Sequence, residues 1–252
     1  MRNRWIPFSL ALIVLAGAVW AEDSNHGHAW TYAGAEGPQH WGELQPAYSI
    51  CKLGKEQSPI DIRNVENVKL PAIQFDYKPS PLTILDNGHT IQVDYAPGSF
   101  IVVGDKRYEL KQFHFHHPSE EAVKGKFTDM DVQLLHRSND GRLAIVTVRL
   151  IEDVSSSNAV LAMLWPHLPR KAGASEKVQE MVNAAGFLPV DRGYWTYMGS
   201  LSTPPCTEGV RWFVFVQELS VSRAQLRAFV ALFRMNTRGL QDTHGRRIEA
   251  ND

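Results

Sequence analysis

The chain has 252 residues, 44% of them hydrophobic, with 26 Lys and Arg set against 27 Asp and Glu. A net charge of −1 excludes the basic surface that nucleic-acid binding requires. The size fits a single domain, because β-rich domains commonly reach it.

The N-terminus has a composition of its own. Arg2 and Arg4 form a basic start, residues 6–19 are mostly apolar, and Val19-Trp20-Ala21 is a small-residue cleavage pattern. Residues 1–21 therefore read as a signal peptide and 22–252 as one exported domain, periplasmic or secreted. An uncleaved N-terminal anchor is the alternative. Removing the segment takes two basic residues and no acids, leaving 24 − 27 = −3. No later apolar run is long enough to span a membrane. Cys51 and Cys206 are the two cysteines. In an oxidising compartment they are expected to form a disulfide, with two free buried thiols as the alternative.

Along the chain, segments 91–95, 100–103, 108–116, 130–136, 143–150 and 211–219 are rich in β-branched and aromatic residues and are predicted strands. Asn87-Gly88 and Asn139-Asp140-Gly141 supply turns. Ser175 is positioned to cap a helix ending near Gly186. Ser222 with Gln225 makes a capping box before an apolar face ending near Phe233. The expected class is α+β and β-dominated: a large central sheet with short peripheral helices. Internal repeats, Gly-rich phosphate loops and Gly-x-Ser-x-Gly elbows are absent from the sequence.

The segment Gln112-Phe113-His114-Phe115-His116 carries most of the chemistry. On a strand, alternate side chains share a face, so His114 and His116 point one way and Phe113 and Phe115 anchor the other. Two rigid neutral imidazoles suit zinc, which in catalytic sites usually takes three protein ligands and leaves a position open. A second His-x-His, His26 and His28, falls just after the expected cleavage point and reads as a mobile segment.

Further motifs accompany this strand: Trp30-Thr31-Tyr32, His40-Trp41-Gly42, Gln57-Ser58-Pro59-Ile60-Asp61, Asn87-Gly88-His89 and Ser119-Glu120. Beyond them lie Trp195-Thr196-Tyr197, Gly199-Ser200-Leu201-Ser202-Thr203-Pro204-Pro205, Asn236 and Arg238. In this order the chain resembles an α-class carbonic anhydrase of the secreted bacterial kind, over nearly the whole mature length. The resemblance implies a large, twisted, mainly antiparallel sheet, one zinc per chain, and reversible hydration of carbon dioxide to bicarbonate and a proton. It places His114 and His116 as zinc ligands and Ser202 with Glu120 as a hydroxide-orienting relay, Ser standing where the family usually has Thr. His89 takes the place of the proton shuttle, whose unperturbed pKa near 6.5 suits that task. Leu135, Leu201, Thr203, Val210 and Trp212 take the substrate pocket, with Ile145 or Val148 as further wall residues. Tyr32 and Asn87 take the water network. Ser58-Pro59 and Pro204-Pro205 match bonds that are cis in the family.

The pattern departs from the family at the third ligand, a His on the next strand whose place is taken by Gln133. In the family register Asp131, Gln133 and Leu135 face the site. In the opposite register His136 would face it instead, because a one-residue slip turns every side chain over. Gln offers a neutral and weaker oxygen donor. The sequence therefore leaves several functions open: a carbonic anhydrase weakened at its third ligand, a catalytically silent carbonic-anhydrase-like binding protein, or a side activity such as ester hydrolysis.

Overall fold

The computed structural model describes residues 30–251; the expected signal peptide with its cleavage point, and His26 and His28, lie outside the described residues. A thirteen-stranded sheet organises the chain. From one edge to the other it runs Ser175–Val182, Ser80–Asp86, Ile91–Asp94, Lys106–His116, Met130–Ser138, Leu143–Glu152, Glu208–Phe215, Tyr194–Ser200, Glu249–Asn251 and Glu66–Val68. Leu219–Val221 joins beside Leu143–Glu152, and Phe100–Val103 brings Ile73–Asp76 onto the strand Lys106–His116. Pairing is mainly antiparallel, with parallel exceptions at Leu143–Glu152 against Glu208–Phe215 and Leu219–Val221, and at Glu249–Asn251 against Glu66–Val68. Among the described residues no helix is long and apolar enough to cross a membrane.

Five of the six predicted strands form within two residues at either end. The sixth, 211–219, breaks in two: Glu208–Phe215 ends, and Leu219–Val221 pairs elsewhere. Helix Arg223–Val230 starts with the expected box, Gln225 N donating to Ser222 Oγ (3.2 Å) and Ser222 N to Gln225 Oε1 (3.0 Å). The helix expected from Ser175 is instead the edge strand Ser175–Val182. Val178, Met181 and Val182 have helical spacing, but only Val182 is buried, and the backbone pairs with Ser80–Asp86. Charged Glu176, Lys177 and Glu180 suit an exposed sheet edge.

The two sheet faces hold different cores. Phe113, Phe115, Leu134, Val146 and Phe213 belong to the larger one, together with Phe187 and Phe229. Ile145, Tyr197, Val210 and Trp212 form the smaller one on the other face, with Leu135 and Leu201 packed against it. Val148 lies in the larger core, so Ile145, and not Val148, joins the predicted pocket residues. The strand's two-residue period dictates that division.

Candidate metal centre

His114 and Gln133 stand directly opposite each other on neighbouring strands, and His116 pairs with Asp131. The rings of His114 and His116 are 5.0 Å apart and nearly perpendicular. The register is therefore the one that turns Gln133, rather than His136, toward the histidines. His136 is fully buried on the other face, where Tyr77 Oη bonds its Nε2 at 2.7 Å. Burial pushes the His136 pKa down to about 3.

Each candidate donor is aimed by a partner behind it. His116 Nδ1 lies 2.6 Å from the carbonyl oxygen of Asn236. A carbonyl can only accept, so Nδ1 carries a proton, and in the neutral ring the Nε2 lone pair is the one that can take a metal. His114 Nδ1 donates likewise to Gln112 Oε1 at 2.9 Å. Burial drives the His114 pKa down to about 3; His116 adds to the fall and the Gln133 carboxamide opposes it, so the imidazole is neutral at working pH. Gln133 Nε2 donates to Glu120 Oε2 (3.0 Å) and, at longer range, to Asp131 Oδ2 (3.4 Å). With its amide hydrogens engaged there, the Gln133 carbonyl oxygen is left as the free acceptor.

Two atoms of this centre, His116 Nε2 and Gln133 Oε1, are buried without a hydrogen-bond partner, although Glu120 Oε2 stands 3.6 Å from His116 Nε2, beyond hydrogen-bond reach. Such orphans are costly unless something satisfies them. Two imidazole nitrogens and an amide oxygen, all oriented from behind, fit a divalent ion such as zinc. Among the described residues no group of three or more His, Cys, Asp or Glu could hold a metal, so any centre here depends on the Gln133 oxygen.

Glu120 is fully buried, and both its oxygens are engaged: Oε1 accepts from Arg238 N (3.2 Å) and Oε2 from Gln133. No hydrogen bond joins Ser202 to Glu120 among the described residues, although Ser202 is buried. Asp131 Oδ2 accepts from Glu120 N at 2.9 Å. Its pKa rises to about 7, chiefly through burial and against the pull of His116. Glu121, which nothing in the sequence singled out, is also fully buried and accepts from Tyr197 Oη at 3.1 Å. Burial, Asp131 and Glu120 all push its pKa up. Asn236 and Arg238 were legible as motif members but not as anchors, because their partners lie more than a hundred residues away.

His89 stacks on Trp30 with centroids 3.6 Å apart and rings 8° from parallel. Its half-buried position lowers its pKa. Asn87 Oδ1 accepts from His89 N and Thr90 N, which fixes the turn, and Asn236 Nδ2 holds the His89 carbonyl at 3.0 Å. The Tyr32 ring lies 6.4 Å from His89, and burial, with Glu120 and Asp131 adding to it, raises the Tyr32 pKa well above its usual value. Thr203 is half-buried, one residue beyond Ser202. Cys51 and Cys206 form the expected disulfide, and Ser58-Pro59 and Pro204-Pro205 are cis.

The family model for eukaryotic-type carbonic anhydrase matches residues 36–252. The chain belongs to that family. A carbonic anhydrase of Nostoc sp. is 37% identical over 225 residues, which span 87% of this chain and 84% of the relative. A hyperthermostable carbonic anhydrase from a hydrothermal vent chimney superposes with a TM-score of 0.86 at 42% identity, over 89% of this chain and all of the other. Dioscorin, solved in complex with ascorbate, superposes with a TM-score of 0.82 at 28% identity, over 89% of this chain and 98% of its own. Carbon dioxide hydration is the reaction of the family, carbon dioxide and bicarbonate are its small-molecule substrates, and its members are generally zinc-dependent.

Replacing His136 by Gln is expected to leave zinc content unchanged, since that side chain faces away from the centre. It should also make acid unfolding shallower. A histidine held near pKa 3 in the fold and near 6.5 unfolded takes up its proton preferentially in the unfolded chain between those values. Stability from that group is present above about pH 6.5 and falls as pH drops toward 3. Thermal melts across that window, beside metal analysis, check both statements.

Proposed function

We propose that this chain hydrates carbon dioxide with one zinc held by His114, His116 and Gln133, at lower zinc affinity than a three-histidine centre would have. The supporting observation is the pair of orphaned buried atoms, His116 Nε2 and Gln133 Oε1, beside a neutral His114. When bound, zinc supplies the Lewis acidity that makes water nucleophilic at neutral pH. Gln112 and Asn236 fix the tautomers of the two imidazoles, and Glu120 with Asp131 fixes the Gln133 amide. Leu135, Leu201, Val210 and Trp212 offer an apolar wall suited to carbon dioxide, and Thr203 joins that pocket. His89 carries the released proton outward, and Tyr32 and Asn87 order the water beside it. We further propose that residues 1–21 direct export and are removed. Zinc content of the exported protein, combined with stopped-flow hydration, tests the reading; metal-free protein no faster than buffer would reject it.

His89→Ala is expected to lower the maximal hydration rate more than kcat/KM, because proton export follows the chemical step. Added imidazole buffer should restore part of the rate. Equal losses in both constants without rescue would remove His89 from that role.

One observation favours a second reading, a carbonic-anhydrase-like binding protein without turnover. Gln133 and Arg238 N each donate to an oxygen of Glu120, and no hydrogen bond joins Ser202 to that carboxylate among the described residues. Dioscorin, complexed with ascorbate, has the same fold. Zinc-loaded protein that fails to hydrate carbon dioxide would select this reading.

A further inference from the structure

We infer that a second small-molecule site, for a monocarboxylate with an apolar body, lies on the sheet face opposite the candidate metal centre. The ladder fixes the faces. His114 pairs with Gln133, Gln133 with Thr147, Thr147 with Val214 and Val214 with Trp195, so these side chains share one face. Phe213 and its partner Thr196 therefore point to the other face. There a cavity of about 690 Å³ is lined by Leu70, Tyr108, Tyr194, Thr196, Arg211 and Phe213, among others. That volume is typical of small-molecule sites, which pair an apolar lining with a few placed polar groups.

Two of the lining groups lack a hydrogen-bond partner among the described residues. Thr196 is 2% exposed and its hydroxyl has no hydrogen-bond partner. Arg211 is half-buried and makes no hydrogen bond or ion pair among the described residues. Among the lining charges Arg142 pairs with Asp140 and Glu249 with Arg247, which leaves Lys106, Asp105 and Arg211, a net single positive charge that calls for one negative charge. Arg211 pairs with Met198 and Phe213 with Thr196, which makes Arg211 and Thr196 diagonal neighbours. Such neighbours sit roughly 7–8 Å apart, within the reach of one ligand. A guanidinium binds carboxylate in a fork, and the threonine hydroxyl can donate to a second oxygen. Tyr108, Tyr194 and Phe213 stand in the cavity lining and supply its aromatic wall for the apolar body.

The probe is 4-phenylbutyrate, titrated into the full protein by calorimetry and ligand-observed NMR. Saturable one-to-one binding is expected. Arg211→Gln should weaken it roughly tenfold or more, the loss of a charge-assisted hydrogen bond. Thr196→Val should weaken it severalfold while Tm holds or rises, since the free protein loses only an unpartnered hydroxyl. A purely structural threonine would not move the two readouts in opposite directions. His114→Ala should leave binding intact, which separates this site from the metal centre. Absence of saturable binding, or binding indifferent to both back-face variants, or loss of binding in His114→Ala, would each overturn the assignment. Self-association seen by sedimentation and abolished by Arg211→Gln, without probe binding, would overturn it in favour of a second copy of the chain.

Discussion

Gln133→His should raise zinc affinity by at least about tenfold and hydration activity with it. Loss of a partner behind a metal ligand commonly costs 10- to 100-fold in affinity or activity, and exchange of a ligand itself should weigh at least as much. The corresponding free energy is roughly 1.4–3 kcal/mol or more. The position favours the change: residue 133 is fully buried directly across from His114, and its acceptors Glu120 and Asp131 are already in place. A second effect follows from counting protons. The Gln133 amide donates to both carboxylates, whereas a ligating imidazole has a single N–H to give. With that N–H on Asp131, Glu120 Oε2 loses its Gln133 donor, and it is then expected to accept from Ser202. The rate at saturating zinc should therefore rise beyond what occupancy explains, and Ser202→Ala should erase that surplus. Equilibrium zinc competition and stopped-flow assays at saturating metal separate the two contributions. Tight zinc with no hydration would transfer the protein to the binding reading. No change in affinity would mean that residue 133 is not a ligand.

Much of this centre was legible because strand geometry is periodic. Once 108–116 and 130–136 read as strands, the His114–His116 face followed, and the Gln133-or-His136 choice reduced to a single register. What settled that register is tertiary: His136 finds Tyr77 on the far face. The reach of Asp131 toward Gln133 was not legible, since it turns on tenths of an ångström; it is the longer contact, and Glu120 is the nearer acceptor. Nor could the sequence show that Gln133 would donate to Glu120. That bond joins two side chains thirteen residues apart, one of them a buried carboxylate, with no local pattern to announce it. Segment 175–182 failed for a different reason. Its apolar spacing is helical, yet the free edge at Ser80–Asp86 offered backbone hydrogen bonds that propensity alone does not weigh. Anchors such as Asn236 and Arg238 act across the whole chain, so their motif positions were visible and their tasks were not.

Removing the disulfide should cost more than any single side chain outside the metal centre. Cys51 and Cys206 are 155 residues apart in sequence, and closing so long a loop constrains the unfolded chain by about 4–5 kcal/mol in the entropy model. For a domain of this size that corresponds to a fall in Tm of roughly 10–20 °C. The loss should reach the site as well. Cys206 follows Ser202 by four residues, and its carbonyl accepts from Gln57 Nε2 at 3.1 Å. The Arg238 side chain bonds the Cys51 carbonyl at 2.8 Å and Gln57 Oε1 at 2.8 Å, while its backbone N–H holds Glu120. The bridge thus ties the Ser202 loop to the network that positions Glu120. In the double variant Cys51→Ala, Cys206→Ala, hydration activity should fade at temperatures below the global melt, because the Ser202 loop loosens before the sheet unfolds. The native chain should be two hydrogens lighter than its reduced form and carry no thiol open to alkylation. Recovery of two alkylatable thiols, or equal melting of oxidised and reduced protein, would show that the bridge does not carry this stability. Activity lost only together with the fold would confine the bridge to stability and detach it from the Ser202 loop.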